Sequence, residues 1–171
     1  AYYRLSESSG TTAADPSGNG RTGTYTGGYT LGVSGISSND TAITLNGTSG
    51  YVNVPDNASL NTSGSLTLEA WVKAPAADVC KAFMSKRDPG NTYTVYALSI
   101  CGTDTHLGTP GRRLAFNLRQ SDSNERSGYS TVSVADGNWH HVAMVANQSA
   151  NSVALYVDGV SVAFTYDYNA G

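Results

Sequence analysis

The chain has 171 residues, 39% of them hydrophobic and only 13% charged, with a formal net charge of −3. This length suits one domain with a full core, and the charge provides no positive field that would attract nucleic acid. No run of about 18 apolar residues is present, which argues against a membrane span. Abundant Gly, Tyr, Thr and Val with few Glu favours strands and turns over helices.

The first third of the chain is dominated by turn-forming residues. Tyr2–Leu5 is a short strand candidate, and residues 6–28 are predicted to be one long loop of Ser, Thr, Gly, Asp and Asn. Two short strands joined by a turn, and then a single helical or 3₁₀ turn, are predicted next at residues 43–45, 51–54 and 58–61.

The long loop contains the run Asp-Pro-Ser-Gly-Asn-Gly at residues 15–20, which is a candidate metal site. The Asp15 carboxylate, the Asn19 amide and exposed loop carbonyls are hard oxygen ligands of the kind that Ca²⁺ takes. The run lacks the full alternating acidic pattern of an EF-hand loop. A metal-free turn, in which the Asp side chain bonds its own backbone, is the alternative.

The middle of the chain predicts a long strand and then a hairpin. Residues 65–73 alternate an apolar face with a face that carries Glu69. Residues 81–87 and 92–100 flank a turn tetrapeptide at 88–91, which places Cys80 opposite Cys101. We therefore predict a Cys80–Cys101 disulfide and an oxidising compartment, with two buried free thiols as the alternative. Two Cys without a nearby His pair argue against zinc.

A candidate ligand set lies on neighbouring elements of this region. After a polar loop at 102–111 that carries His106, residues 113–120 form a strand, residues 121–127 a turn region and residues 129–134 another strand. Sugar binding needs an exposed aromatic face beside planar polar groups. The predicted ligand-binding residues are Tyr93, Tyr96, Asn117 and Arg119. The alternative is that these tyrosines pack with the ring inward and the hydroxyl outward.

The last predicted unit is a three-strand meander. Residues 139–146 are apolar on both faces, as in a central strand, and a turn at 148–151 follows. The Asp158-Gly159 pair predicts a type I′ turn. The turn would place Val157 opposite Val160, Leu155 opposite Val162, and Val153 opposite Phe164. About eleven short strands without a convincing helix predict an all-β, two-sheet sandwich that forms one domain over residues 1–171.

The pattern of acidic residues argues against a hydrolase. Glycoside hydrolysis needs two carboxylates across the scissile bond, and the long strand offers Glu69 alone. No Gly-x-Ser-x-Gly elbow is present, although spacing alone does not exclude a Ser-His-Asp triad. His140 and His141 would point to opposite faces of a strand and so could not bind one metal together. We therefore predict a chain without catalytic residues.

Several short motifs share the order found in one family. They are Ser-Gly-Thr-Thr-Ala-Ala-Asp at 9–15, Leu-Asn-Gly at 45–47, the Trp-bearing strand at 68–73, Trp-His-His-Val at 139–142 and Tyr-Val-Asp-Gly at 156–159. Together they resemble bacterial laminin-G-like jelly-roll modules with a concanavalin-A-like fold. Members normally continue for about one more β-hairpin, whose last strand lies beside the N-terminal strand. Residues 166–171 show no such motif, so we expect that strand either to be cut from this sequence or to be supplied by a neighbouring chain.

The resemblance implies an antiparallel jelly-roll sandwich with a recognition function outside the cell. The expected function is non-catalytic binding of glycans or surface ligands, as part of a larger adhesin or polysaccharide-active protein. The alternative is a structural subunit of a filament, coat or virion, completed by a neighbouring chain at an open edge near Tyr2–Leu5. One fold hosts many functions, so these are expectations rather than derivations.

Overall fold

The computed structural model describes residues 1–61, 64–76, 80–88, 90, 92–103, 110–121 and 124–169. These residues form antiparallel sheets and one 3₁₀ turn, without an α-helix. The described part of the chain has no helix that is long and apolar enough to cross a membrane. The chain divides into two compact units, Ala1–Asn57 and Ala58–Gly171. Each unit is described by itself, and one domain over residues 1–171 stays a prediction.

The N-terminal unit contains two small sheets. One has three strands in the order β1-β2-β5, and the other pairs β3 with β4. The strands are β1 (Thr12–Ala13), β2 (Gly23–Thr26), β3 (Tyr29–Ser34), β4 (Thr41–Leu45) and β5 (Tyr51–Asn53). The prediction of one long loop over residues 6–28 was therefore wrong, because β1 and β2 lie within it.

The expected strand at Tyr2–Leu5 is also absent from the structure. Leu5 takes a φ of 55°, which ends an extended run, and the backbone N–H of Tyr2 donates to Asp15 Oδ1 at 3.0 Å. The segment is thus held by a loop side chain and not by a sheet. The open edge that a neighbouring chain was expected to occupy near Tyr2–Leu5 is not a strand edge.

The C-terminal unit contains a five-stranded sheet and a four-stranded sheet, after one 3₁₀ turn (Ala58–Leu60) that confirms the helical turn predicted there. Their strand orders are β14-β10-β9-β8-β7 and β13-β12-β11-β6. The strands are β6 (Leu66–Lys73), β7 (Cys80–Arg87), β8 (Thr94–Thr103), β9 (Pro110–Ser121), β10 (Asn124–Ser133), β11 (Trp139–Asn147), β12 (Ser152–Val157), β13 (Val160–Val162) and β14 (Phe164–Asn169).

The core of this unit lies between its two sheets, which makes it a β-sandwich. Alternate side chains of each strand point inward, so Leu68, Met144 and Leu155 of one sheet cluster with Leu98 and Phe116 of the other. Leu98, Met144 and Leu155 are completely buried. The alternation predicted for residues 65–73 and 113–120 is confirmed, and it determines which side chains face outward.

The predicted disulfide and the predicted type I′ turn are both present. Cys80 pairs with Cys101 in the β7–β8 ladder and is bonded to it. Asp158 and Gly159 have φ values of 52° and 78°, which is the conformation of a type I′ turn. The turn predicted at residues 121–127 was too long, because β10 already begins at Asn124. Residues 104–109, which include His106, lie outside the described residues.

The chain passes from one sheet to the other directly after β13. Val157 pairs with Val160 and Leu155 with Val162, as predicted, but Phe164 pairs with Ser130 of β10 and not with Val153. At the crossing point, the N–H and Oγ1 of Thr131 donate to the Ala163 carbonyl at 2.8 and 3.1 Å. Residues 164–169 form β14, a separate strand of the five-stranded sheet, whereas the first of them were predicted to continue the strand after the Asp158-Gly159 turn.

Candidate functional site

A polar cluster lies on the outer face of the five-stranded sheet. Since Phe116 and Leu118 point into the core, the alternating residues Asn117 and Arg119 of β9 point away from it. The neighbouring strand β10 places Glu125 opposite Arg119. Asn117, Arg119 and Glu125 therefore share one face, and we call these three residues with Tyr93 the Arg119 cluster.

The hairpin turn before β8 brings Tyr93 into the cluster. The Asp88 carboxylate accepts the N–H groups of Thr92 and Tyr93 at 2.6 and 2.7 Å, and the Asp88 N–H donates to the Tyr93 carbonyl at 3.1 Å. These bonds fix the backbone that carries the Tyr93 ring. The guanidinium carbon of Arg119 lies 4.4 Å from the centre of that ring, which is a cation–π contact.

The polar groups of the cluster also contact one another. Arg119 Nη1 lies 3.7 Å from Glu125 Oε2, and Asn117 Nδ2 donates to Glu125 Oε1 at 3.1 Å. The Arg119 and Glu125 side chains retain 24% and 35% of their exposure, so a ligand can reach them. The arrangement stacks a guanidinium over an aromatic ring and places a carboxylate beside that guanidinium. It can donate hydrogen bonds to hydroxyl oxygens from Arg119 and accept hydrogen bonds from hydroxyl groups at Glu125.

Three of the four predicted ligand residues come together here, and the fourth does not. Tyr96 is 8% exposed and belongs to the hydrophobic core, which is the packing alternative stated for these tyrosines. Glu125 was missed because residues 121–127 were assigned to a turn. Arg119 and Glu125 carry opposite charges and flank a short polar run. This pattern could have predicted that Glu125 pairs with Arg119 across a hairpin.

The predicted metal residues Asp15 and Asn19 are both used within their loop. Asp15 Oδ1 accepts the N–H groups of Tyr2 and Ser17, and Asp15 Oδ2 accepts that of Arg21, at 3.0–3.1 Å. Hydrogen bonds from Ser17, Tyr2 and Arg21 hold the pKa of Asp15 well below its usual value. Asn19 Nδ2 donates to Ser17 Oγ at 2.9 Å. Among the described residues, no group of three His, Cys, Asp or Glu side chains could hold a metal ion.

The adjacent residues His140 and His141 have different partners. His140 lies between two carboxylates, with Nδ1 2.8 Å from Asp158 Oδ2 and Nε2 3.2 Å from Asp136 Oδ1. The backbone N–H of His141 donates to Asp158 Oδ1 at 2.9 Å, while its ring faces Glu69. Asp158 therefore joins the β12–β13 turn to the start of β11. The hydrogen bonds that the protonated His140 ring donates to Asp158 and Asp136 raise the pKa of His140.

The comparison with family models decides which family this sandwich represents. Residues 46–169 match the laminin-G model described as the concanavalin A-like lectin/glucanases superfamily. The chain belongs to this family. The matched region of the laminin-G-like chain includes β5, both sheets of the C-terminal unit and the Arg119 cluster.

Comparisons with curated proteins and with solved structures found no significant match. The family match starts at residue 46, so the loop that carries Asp15 and Asn19 lies outside it. The Trp-His-His-Val and Tyr-Val-Asp-Gly motifs lie inside it and meet in space through Asp158. The family description includes both lectins and glucanases, so membership alone does not separate binding from catalysis.

Proposed function

We propose that this laminin-G-like chain is a non-catalytic recognition module that binds glycans or surface ligands outside the cell. The observation that carries the proposal is the Arg119 cluster on the outer face of the five-stranded sheet. Family membership supports it, since the family description includes lectins. The parent protein in this proposal is a larger adhesin or polysaccharide-active protein.

The proposed ligand chemistry follows from the groups in the cluster. The guanidinium of Arg119 donates several hydrogen bonds in one plane, and the Glu125 carboxylate only accepts them. Vicinal hydroxyl groups can satisfy both at once, because each hydroxyl is a donor and an acceptor. The Tyr93 ring, held by Arg119 and by the Asp88 turn, adds an apolar surface for the C–H groups of a sugar.

The positions of the strand glutamates support a binding role over hydrolysis. Glu69 lies on the outer face of the four-stranded sheet, and Glu125 lies on the outer face of the five-stranded sheet. Packed sheets are about 10 Å apart, so the two carboxylates are separated by more than that. A glycosidase pair is about 5–10 Å apart and faces the same cleft. Glu69 and Glu125 therefore do not form such a pair.

The disulfide supports a location in an oxidising compartment. Cys80 and Cys101 are bonded, and such bonds persist mainly in secreted and surface proteins. The alternative of a structural subunit completed by a neighbouring chain stays a prediction, although Tyr2–Leu5 does not form a strand in the single chain.

Binding to a glycan array and titration calorimetry with the strongest hit test the proposed function. We expect Arg119→Ala to weaken binding at least about tenfold, because it removes both the hydrogen-bond donors and the support of Tyr93. Arg119→Lys should also weaken it, since an ammonium lacks the planar fork. Arg4→Ala, an exposed arginine of the N-terminal unit, is the matched control. The proposal would be contradicted if the Arg119 variants bound as tightly as the unmodified chain, or if the unmodified chain bound no glycan.

Calcium binding at Asp15 and Asn19 stays a prediction with its own test. Asp15 Oδ2 accepts the Arg21 N–H, and Asn19 donates from its amide nitrogen within the loop. If Ca²⁺ binds, millimolar Ca²⁺ should raise the melting temperature and a chelator should lower it. Asp15→Asn, which keeps one oxygen for the Tyr2 and Ser17 N–H groups but loses the acceptor of the Arg21 N–H and the charge, should abolish the response.

The choice of variant matters for the calcium test. Asp15→Ala would remove three backbone hydrogen bonds and loosen the loop whether or not a metal binds. The Asp15→Asn comparison and direct Ca²⁺ titration separate the two effects. A melting temperature that does not change with Ca²⁺ or chelator would establish the metal-free turn.

A further inference from the structure

The outer face of the four-stranded sheet carries a half-exposed indole. Since Leu68 and Val72 of β6 point toward the core, the alternating residues Glu69, Trp71 and Lys73 point outward. Trp71 is 51% exposed, which is unusual for a side chain with so much apolar surface. It is separated from the Arg119 cluster by the whole thickness of the sandwich.

The indole is held in place by its neighbours on β11. Trp71 pairs with His141 in the β6–β11 ladder, and the two ring centres are 5.4 Å apart with the planes tilted by 58°. His141 Nε2 lies 3.8 Å from Glu69 Oε2. Trp139 pairs with Lys73, is partly exposed and lies on the same face as His141. The rings of this face are therefore positioned before any ligand arrives.

We propose that Glu69, Trp71, Lys73, Trp139 and His141 form a second carbohydrate-contact surface, which takes a neutral, β-linked glycan of gluco configuration. A pyranose ring with equatorial substituents presents an apolar C–H face, and that face can stack on the exposed indole of Trp71. Glu69 accepts hydrogen bonds from sugar hydroxyls on one side, and Lys73 donates to them on the other.

The charges and the spacing of this surface define the class of ligand. Glu69 and Lys73 carry opposite charges, so an anionic or a cationic glycan would meet one like charge. Four residues along a strand span about 13 Å, which exceeds a single pyranose and suits a chain of several sugars. The inference rests on the proposed recognition function. It concerns a different sheet from the Arg119 cluster, so an experiment can contradict one proposal and still support the other.

Titration calorimetry with cellohexaose and with N-acetylchitohexaose tests the surface. We expect the unmodified chain to bind at least one of these probes. Trp71→Ala should weaken that binding about tenfold or more, with Trp71→Phe intermediate because a ring remains. Glu69→Gln should weaken it less, since the amide still accepts a hydrogen bond. Tyr51→Ala is the matched control, because Tyr51 has the same exposed fraction as Trp71 and lies in the N-terminal unit.

The results separate this surface from the Arg119 cluster. Binding that Trp71→Ala leaves unchanged overturns the second surface, and a loss with Arg119→Ala in the same titration would still support the proposed function. No binding of either probe by the unmodified chain also overturns it. Self-association in sedimentation that Trp71→Ala abolishes would make the face a protein interface instead. Because Trp71 is exposed, thermal melts should show that its variants remain folded.

Discussion

Replacing both Cys80 and Cys101 with Ser is expected to lower the free energy of unfolding of the C-terminal unit by about 3 kcal/mol. The bond closes a sequence separation of 21 residues, and removing it returns conformational freedom to the unfolded chain. It also ties β7, which is the edge strand of its sheet, to β8. Urea denaturation followed by circular dichroism would measure the loss.

A reductant provides the control for this prediction. Dithiothreitol should destabilise the unmodified chain by a similar amount and leave the double variant unaffected. Hydrogen exchange should show that the loss of protection begins in β7, which has only β8 as a neighbour. Equal stability of the oxidised, reduced and Ser forms would show that the β7–β8 ladder closes the hairpin without help from the disulfide.

The second large effect is expected at the carboxylate pair around His140. Asp158→Ala removes one of the two carboxylate partners of the His140 ring and the acceptor of the His141 N–H, and it places Ala at a φ of 52° in the turn. We expect a loss of about 1–2 kcal/mol, a value at the low end for charged hydrogen bonds because Asp158 is half exposed. Thermal denaturation at pH 6 would measure it.

The stability of this unit should also depend on pH in a definite direction. The pKa of His140 is raised by its bonds to Asp158 and Asp136, so its contribution is complete below the unfolded value of 6.5. That contribution is lost as the pH rises through the folded value. Asn138 and His140 lower the pKa of Asp136 to about 2, and the His140 bond lowers that of Asp158. Their contributions are present above the unfolded value of 3.8 and are lost at lower pH. The cluster is therefore strongest between about pH 4 and 6.5.

Two aspartate variants check this pH dependence. Asp158→Asn keeps a residue that tolerates positive φ and an oxygen for the His141 N–H, but it removes the charge beside His140. It should flatten the decrease in melting temperature above pH 6.5. Asp167→Asn removes an exposed acid of the same unit and should leave that decrease intact. A melting temperature that rises from pH 6 to pH 8 in the unmodified chain would contradict the assignment.

The parts of the fold with a regular pattern could be predicted from the sequence. The alternation of β6 and β9, the Asp158-Gly159 turn and the opposed Cys80 and Cys101 each follow from local rules of strand geometry. These rules hold because one buried face fixes the register of a strand. The same rules predicted that Asn117 and Arg119 point outward. The residues that contact them there come from other parts of the chain.

The failures arose where a distant part of the chain decides the local structure. Leu5 has a strand-like neighbourhood in sequence, but its own φ is 55°, and the Asp15 carboxylate accepts the N–H of Tyr2. Phe164 continues the alternation of β13, yet it leaves that sheet to pack edge-to-face against Phe116 at 5.5 Å. Glu125 joins the Arg119 cluster through the β9–β10 register, which no short window of sequence contains.

The crossing at Ala163 has a mechanical consequence for the C-terminal unit. Three residues of β13 extend one layer, and the next strand along the chain, β14, is hydrogen-bonded into the other. A force transmitted through β14 would therefore load its ladder with β10 first, and then the ladder between β13 and β12. If the parent protein is an adhesin, tension transmitted through β14 would have to break hydrogen bonds in both sheets, one after the other.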